Sequence, residues 1–96
     1  MKTFVPKTPM MKYVVEFVGT LLFLFVILKF PNALAIGAAL ALVIFLGGNI
    51  SGGHFNPAVS IMKYAQGAIK MNDLVAYMVV QIAGGLVALM VYKMVK

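Results

Sequence analysis

The segment NISGGHFNPAVS at 49–60 decides the fold, because it interrupts a chain that is otherwise almost wholly apolar. Its paired glycines and Pro57 would break a helix, yet apolar sequence continues on both sides. Asn56 is a preferred N-cap residue, and Pro57 takes the first helical position, where proline is favoured. The segment therefore predicts a glycine-rich loop that leads into a short helix, which starts at Pro57 and ends near Gly67.

The overall composition identifies an integral membrane protein that crosses the bilayer more than once. Hydrophobic residues make up 64% of the 96 residues and charged residues 10%. This is too little polar material to cover the core of a soluble domain of this size. We expect residues 1–96 to form a single domain, with room for three to four spanning helices of roughly 20 residues each.

The charged residues narrow the function classes further. All eight basic residues are lysines, scattered singly along the chain, and the net charge is +6. This pattern favours lysines that anchor helix ends at lipid headgroups, and it argues against binding to nucleic acid. With one histidine, two acidic residues and no cysteine, the sequence holds no metal-binding, cofactor-binding or catalytic constellation. We therefore expect that the protein is not an enzyme.

Three apolar stretches are long enough to span a membrane. They predict transmembrane helices at about 9–29, 33–50 and 74–92, with a break between the first two at Pro31. The residues predicted to cap their N-terminal ends are Thr8 with Pro9, Asn32 and Asn72.

The remaining segment, at about 51–68, is too short and too polar to span. The second helix delivers the chain to one face of the membrane, and the third helix must leave from that same face. We therefore predict a loop that dips inward and a short half-helix that returns, in an all-α membrane protein with three transmembrane helices. Irregular backbone at that depth is tolerated only where protein or a watery cavity surrounds it.

Three motifs carry a resemblance to a known family. The stretch SGGHFNPAVS at 51–60 closely resembles the first signature loop of the aquaporin and glycerol-facilitator family, the major intrinsic proteins. EFVGT at 16–20 is similar to that family's first-helix motif, and QIAGGLVA at 81–88 to its third-helix motif. Members of the family usually carry two such repeats, inverted relative to each other. The 96 residues hold one aquaporin repeat, which corresponds to a half-aquaporin.

The resemblance implies a passive channel for water and small uncharged solutes such as glycerol, with a pore built by two inverted copies. Two antiparallel copies would bring Asn56 against Asn56 across a two-fold axis in the membrane plane, whereas parallel copies would keep the loop tips apart. Such a homodimer requires the chain to insert into the membrane in both orientations. Five lysines on the N-terminal side of the membrane against three on the other side bias the orientation only weakly. Members of the family assemble with four pores together. The resemblance therefore implies four such dimers, which form an octamer in contact with membrane lipid.

Six residues of the signature loop receive a pore role from the resemblance. Asn56 would donate hydrogen bonds to the permeating molecule, and Pro57 and Ala58 would shape the meeting of the two loop tips. The family's ladder of acceptor carbonyls corresponds here to Gly52, Gly53 and His54.

Two positions depart from the pattern of water-selective members. The arginine of the family's constriction is replaced by Val59, and the chain contains no arginine. The position of an aromatic filter residue corresponds to Ile36. The resemblance therefore implies an apolar constriction at both mouths, which admits glycerol-sized polyols as well as water.

Glu16 and Gln81 are polar residues within predicted spans, and two roles are possible for each of them. Glu16 is a buried carboxylate that accepts bonds from the re-entrant loop, or an interfacial acid if the first helix begins near Tyr13. Gln81 is a polar brace for the loop, or a residue that hydrogen-bonds between helices. A second function class uses Glu16 differently, in a dual-topology coupled transporter for small molecules or cations. That alternative leaves the signature loop unexplained.

Overall fold

The structure, a computed structural model, describes residues 10–96. Within that range the chain forms α1 at Met11–Lys29, α2 at Ala33–Ser51, α3 at Pro57–Gln66 and α4 at Met71–Val95, and no strand. Helices α1, α2 and α4 are long and apolar enough to cross a membrane, which confirms the all-α fold with three spans. Thr8 and Pro9, the predicted cap and first residue of α1, lie outside the described residues.

Helix α1 occupies the middle of the fold. It packs against α2 on one side and against α4 on the other, while the short helix α3 packs against α4. Helices α1 and α4 approach each other closely at Gly84, where an added Cβ would lie 2.9 Å from the carbonyl oxygen of Phe17. Small residues allow this approach in membrane proteins, where dispersion contacts between helices replace the hydrophobic effect.

Local capping chemistry sets the ends of α2 and α3. Asn32 Oδ1 accepts a hydrogen bond of 2.8 Å from the backbone N–H of Ala35, which confirms the predicted cap of α2. Asn56 caps α3 in the same way, and Pro57 is the first residue of that helix, as predicted. Helix α3 ends before Gly67, whose φ of 89° favours glycine.

The start of α4 differs from the prediction. The helix was expected at 74–92 with Asn72 as its cap, but it begins at Met71, and Asn72 lies within its first turn without a capping role. The cause is a tertiary contact: the Asp73 carboxylate accepts hydrogen bonds from Lys12 and Tyr13 of α1, which holds this turn in helical form. At the other end, α4 continues through Lys93, since lysine is a good helix former.

Candidate functional site

The segment at 52–56 turns back into the helical bundle, as the re-entrant loop was predicted to do. The ring of Phe55 lies against Gly19 of α1, where an added Cβ would overlap it, and 3.5 Å from the Cβ position of Gly47 in α2. Gly19 lies eight residues beyond Met11, a rise of about 12 Å along α1. Gly47 lies four residues before the end of α2, so the loop runs back beside the helix that precedes it.

This turn requires left-handed backbone at three positions. Gly52 and Gly53 adopt φ of 93° and 70°, which glycine does without steric cost, and Phe55 adopts φ of 53°. A bulky residue in this region is strained by about 1–3 kcal/mol and persists only where its surroundings fix it. The Phe55 side chain is 2% exposed and fills the notch left by the two helical glycines, Gly19 and Gly47. The fit of this ring therefore holds the strained turn.

Glu16 binds the loop from α1. Its side chain is fully buried, and its carboxylate accepts four hydrogen bonds. Oε2 accepts from the Ser51 hydroxyl at 2.7 Å and from the backbone N–H of His54 at 3.0 Å. Oε1 accepts from the backbone N–H of Phe55 at 2.8 Å and from Gln81 Nε2 at 2.9 Å. Every partner is a donor, which is the pattern that an ionised carboxylate accepts.

Gln81 binds the loop and the half-helix from α4. Its Nε2 donates to Glu16 and also to the hydroxyl oxygen of Ser60, at 2.9 Å each. The Ser60 hydrogen is then free to donate to His54 Nδ1, 2.8 Å away, which leaves the imidazole hydrogen on Nε2. Burial lowers the pKa of the His54 imidazole, which lies in the loop and outside the three spans. The ring is therefore neutral near pH 7.

The tip of the loop, unlike its buried inner side, is exposed. Asn56 and Ala58 are exposed, and Pro57 is half-buried. Asn56 Oδ1 is occupied by the N–H of Ala58 at 2.8 Å, whereas its amide nitrogen has no hydrogen-bond partner among residues 10–96. Within the same range, the backbone carbonyls of Gly52, Gly53 and His54 accept no hydrogen bond. The loop thus carries one donor group and three acceptors that have no hydrogen-bond partner in the described part of the chain.

The two residues predicted to form a constriction lie far apart within one chain. Val59 follows the tip directly in the first turn of α3, and it is half-buried. Ile36 lies in the first turn of α2, eleven residues before Gly47, a rise of about 16 Å along the helix. The structure therefore does not bring Ile36 to the loop of its own chain.

Several residues of the site were missed by sequence reasoning. Phe55 lies in the loop itself, and three other residues contact it: Ser51, Ser60 and Tyr77. Tyr77 also donates a hydrogen bond of 2.6 Å to the carbonyl of Ser51. A usable signal exists for Tyr77, which precedes Gln81 by four residues and so shares its face of α4. The conformation of Phe55 has no comparable signal. In the described part of the chain, no three His, Cys, Asp or Glu side chains lie together as a metal site would require.

Comparison with known proteins places these features in a wider context. The family model described as "Major intrinsic protein" matches residues 27–96. Aquaporin-8 of Mus musculus is 45% identical over 93 residues, covering 85% of this chain and 36% of the relative. The glycerol uptake facilitator protein-like 6 of Lactiplantibacillus plantarum is 40% identical over 88 residues, covering 82% and 41%. The chain thus spans well under half the length of these curated relatives. No solved structure matches the chain significantly.

Proposed function

The chain belongs to the major intrinsic protein family, and we propose that it builds one half of a channel for water and small uncharged solutes such as glycerol. One observation carries the proposal. The re-entrant loop is buried and hydrogen-bonded on its inner side, yet among residues 10–96 the Asn56 amide nitrogen and the carbonyls of Gly52, Gly53 and His54 have no hydrogen-bond partner. Permeation through such a channel is passive, and no catalytic step is involved.

The open groups of the tip account for permeation in chemical terms. A water or polyol oxygen that leaves bulk water loses hydrogen bonds, and the loss is tolerable only where the pore returns them. The Asn56 amide N–H groups would donate to that oxygen, because the cap of α3 occupies only the side-chain oxygen. The carbonyls of Gly52, Gly53 and His54 would accept the hydroxyl hydrogens on the path. Pro57 and Ala58 would bring the tip to its place at the midplane.

A partner copy is required because one chain leaves the tip uncovered. Asn56 and Ala58 are exposed in a chain whose long helices are apolar enough to span a membrane, and irregular backbone is not stable against lipid. A second copy in antiparallel orientation would cover the tip and set Asn56 against Asn56 across a two-fold axis. Four such pairs would form an octamer, with lipid around the apolar outer faces of the helices.

The same pairing explains why Ile36 and Val59 are distant within one chain. In an inverted pair, Ile36 of one copy and Val59 of the other would share each mouth. Both side chains are apolar, and no arginine is present in the sequence to narrow the mouth or to repel cations. We therefore propose that polyols of glycerol size pass the mouths together with water.

The alternative of a coupled transporter has no observation in its favour. Such a transporter would expose a membrane carboxylate to its cargo during the cycle. Glu16 is fully buried, and both of its oxygens are occupied by donors from the loop and from α4. Its role in the proposed channel is to support the loop, together with Gln81.

The experiment that tests the proposal is a flux measurement on the purified chain in lipid vesicles. Stopped-flow light scattering would record shrinkage in a gradient of impermeant sugar for water, and reswelling for glycerol. We expect rapid flux of both, unchanged by an imposed proton gradient. Vesicles that behave like protein-free ones would contradict the channel, and solute flux that follows the proton gradient would favour the transporter.

A further inference from the structure

Tyr77 links the re-entrant loop to the rest of the fold at the point where α2 ends. Its side chain is 3% exposed, and its hydroxyl donates a hydrogen bond of 2.6 Å to the carbonyl oxygen of Ser51. Ser51 is the last residue of α2, so its carbonyl has no partner within the helix. The Tyr77 hydroxyl supplies that partner, and it does so one residue before the loop begins at Gly52.

The ring of Tyr77 is held in turn by two other rings. It lies edge-on to the imidazole of His54, with 4.9 Å between ring centroids, and edge-on to Tyr13 of α1, with 5.9 Å. Such edge-to-face pairs are favourable contacts with a defined geometry. Tyr77 therefore has one side on the loop and the other side on the first turn of α1.

Tyr13 carries this contact outward to the ends of α1 and α4. Its hydroxyl donates to Asp73 Oδ1 at 2.7 Å, and Lys12 Nζ lies 3.0 Å from Asp73 Oδ2. The side chains of Lys12 and Asp73 are 31% and 18% exposed, so the ion pair lies near the end of the bundle. A continuous set of contacts thus runs from this ion pair to the loop.

We propose that Tyr77 is a positioning residue for the pore loop, and that the acceptor oxygen of Asp73 holds Tyr77 in place through Tyr13. We call Asp73, Tyr13, Tyr77 and Ser51 the tyrosine column. The column fixes where α2 gives way to the loop, five residues before Asn56. Its loss would leave the Ser51 carbonyl without a donor, so that the loop opens more often and its tip occupies a wider range of positions.

The chain provides variants that remove single hydroxyl groups without disturbing the rings. Tyr77→Phe removes the bond to Ser51 and keeps both ring contacts. Tyr13→Phe removes only the bond to Asp73, one step further from the loop. Tyr92→Phe, near the far end of α4, is the matched control, since Tyr92 takes no part in the column. The Glu16 hydrogen bonds to the loop remain in all three variants, which therefore fold.

The readout is hydrogen exchange at the backbone amides of His54 and Phe55, measured by NMR on the full chain in detergent micelles. Both amides are bonded to Glu16 and exchange only when the loop opens. We expect exchange to accelerate about tenfold in Tyr77→Phe and about threefold in Tyr13→Phe, and to stay unchanged in Tyr92→Phe. The melting temperature should stay unchanged in Tyr92→Phe and fall only modestly in the other two variants, because each of them loses one hydrogen bond while the helices keep their packing.

The Asp73 end of the column is tested by a conservative variant. Asp73→Asn retains an acceptor oxygen for the Tyr13 hydroxyl and should leave loop exchange near that of the unaltered chain. Asp73→Leu removes the acceptor and should match Tyr13→Phe. If both variants accelerate exchange equally, the column does not run through the Tyr13 hydroxyl and the proposal is wrong.

Exchange that is unchanged in Tyr77→Phe would overturn the column, and so would exchange that rises equally along all four helices. A second readout, the ratio of glycerol to water permeability in vesicles, should shift in Tyr77→Phe and not in Tyr92→Phe. Only this ratio rests on the proposed channel function. A chain that conducts neither solute would contradict that function, while the exchange result would still support or overturn the column.

Discussion

The inner side and the tip of the re-entrant loop belong to the same short segment, yet they differ in burial and in hydrogen bonding. On the inner side, the backbone N–H groups of His54 and Phe55 are bonded to Glu16, and the Phe55 ring is buried. At the tip, Asn56 is exposed, and its amide nitrogen has no partner among residues 10–96. The chain thus binds the inner side of the loop with its own residues and leaves the polar groups of the tip without partners in the described range.

This difference explains where several of the buried polar side chains lie in a mostly apolar chain: they surround the inner side of the loop. Glu16, Gln81 and Ser60 hold the loop in one conformation, although none of them lies at the tip. In the proposed channel, a fixed tip would present its donor and acceptors in set positions, so little reorganisation would be needed when a permeating molecule arrives. Substitutions among the supporting residues should therefore change stability, whereas substitutions at the tip should change permeation.

The largest effect is expected from Glu16→Leu. The substitution leaves the donors of Ser51, His54, Phe55 and Gln81 without an acceptor, at a cost of about 1–3 kcal/mol for each buried group. We expect the free energy of unfolding, measured by denaturant titration in detergent, to fall by at least about 3 kcal/mol.

Two variants calibrate that result. Glu16→Gln keeps one acceptor oxygen and should lose less stability than Glu16→Leu. Gln66→Leu replaces an exposed polar residue at the end of α3 and should change stability by no more than about 0.5 kcal/mol. Equal stability of Glu16→Leu and Gln66→Leu would show that the carboxylate does not hold the loop.

A smaller loss is expected from Gly19→Ala, because the new methyl group would overlap the Phe55 ring. Overpacking of this kind costs about 1–3 kcal/mol, and thermal unfolding in detergent would measure it. Phe55→Leu in the same chain should recover part of the loss.

Gly48→Ala is the matched control in α2, since its methyl group would meet only Ile44, at 3.8 Å. It should be neutral or stabilising by up to about 1 kcal/mol, through helix propensity. A Gly19→Ala chain as stable as the Gly48→Ala chain would refute the notch that holds the strained turn.

At the tip, Asn56→Asp should alter permeation and spare stability. Aspartate caps a helix as well as asparagine, so α3 should persist, but an ionised carboxylate donates no hydrogen bond. We expect vesicle flux of water and glycerol to fall, or a cation leak to appear, with an unchanged melting temperature. Unaltered flux of both solutes without a leak would remove Asn56 from the pore.

The smallest effect is expected from Val59→Arg, which should change selectivity rather than total flux. The guanidinium would narrow the mouth and add hydrogen-bond donors next to the tip. Stopped-flow measurements should show glycerol permeability reduced more than water permeability, with Ala65→Arg at the exposed end of α3 as control. An unaltered chain that conducts water but excludes glycerol would contradict the proposed apolar mouth.

Local chemistry allowed much of this fold to be predicted from sequence. The caps at Asn32 and Asn56 and the glycine stop at Gly67 depend on residues within one turn, and all three were predicted correctly. The start of α4 was predicted wrongly, because Asp73 binds Lys12 of α1, 61 residues away along the chain. Sequence spacing carries no information about such a contact.

The site was predictable in part for the same reason. The sequence allowed two roles for Glu16, a buried carboxylate or an interfacial acid. The structure shows it buried because its hydrogen-bond partners include Gln81, 65 residues further along the chain. The left-handed backbone of Phe55 could not be predicted, since phenylalanine disfavours that conformation and only the notch at Gly19 permits it. The resemblance supplied the tip residues, whereas the residues that support them required the structure.

The central claim is that two inverted copies complete the pore, and the orientation of the chain in intact cells tests it most directly. The native sequence has no cysteine, so Gln66→Cys, exposed at the end of α3, gives a single label site on one membrane face. An impermeant thiol reagent should label about half of the chains, as an antiparallel pair requires. Phe30→Cys, on the opposite face, should give the complementary half. Complete labelling of one variant and complete protection of the other would contradict the antiparallel pair.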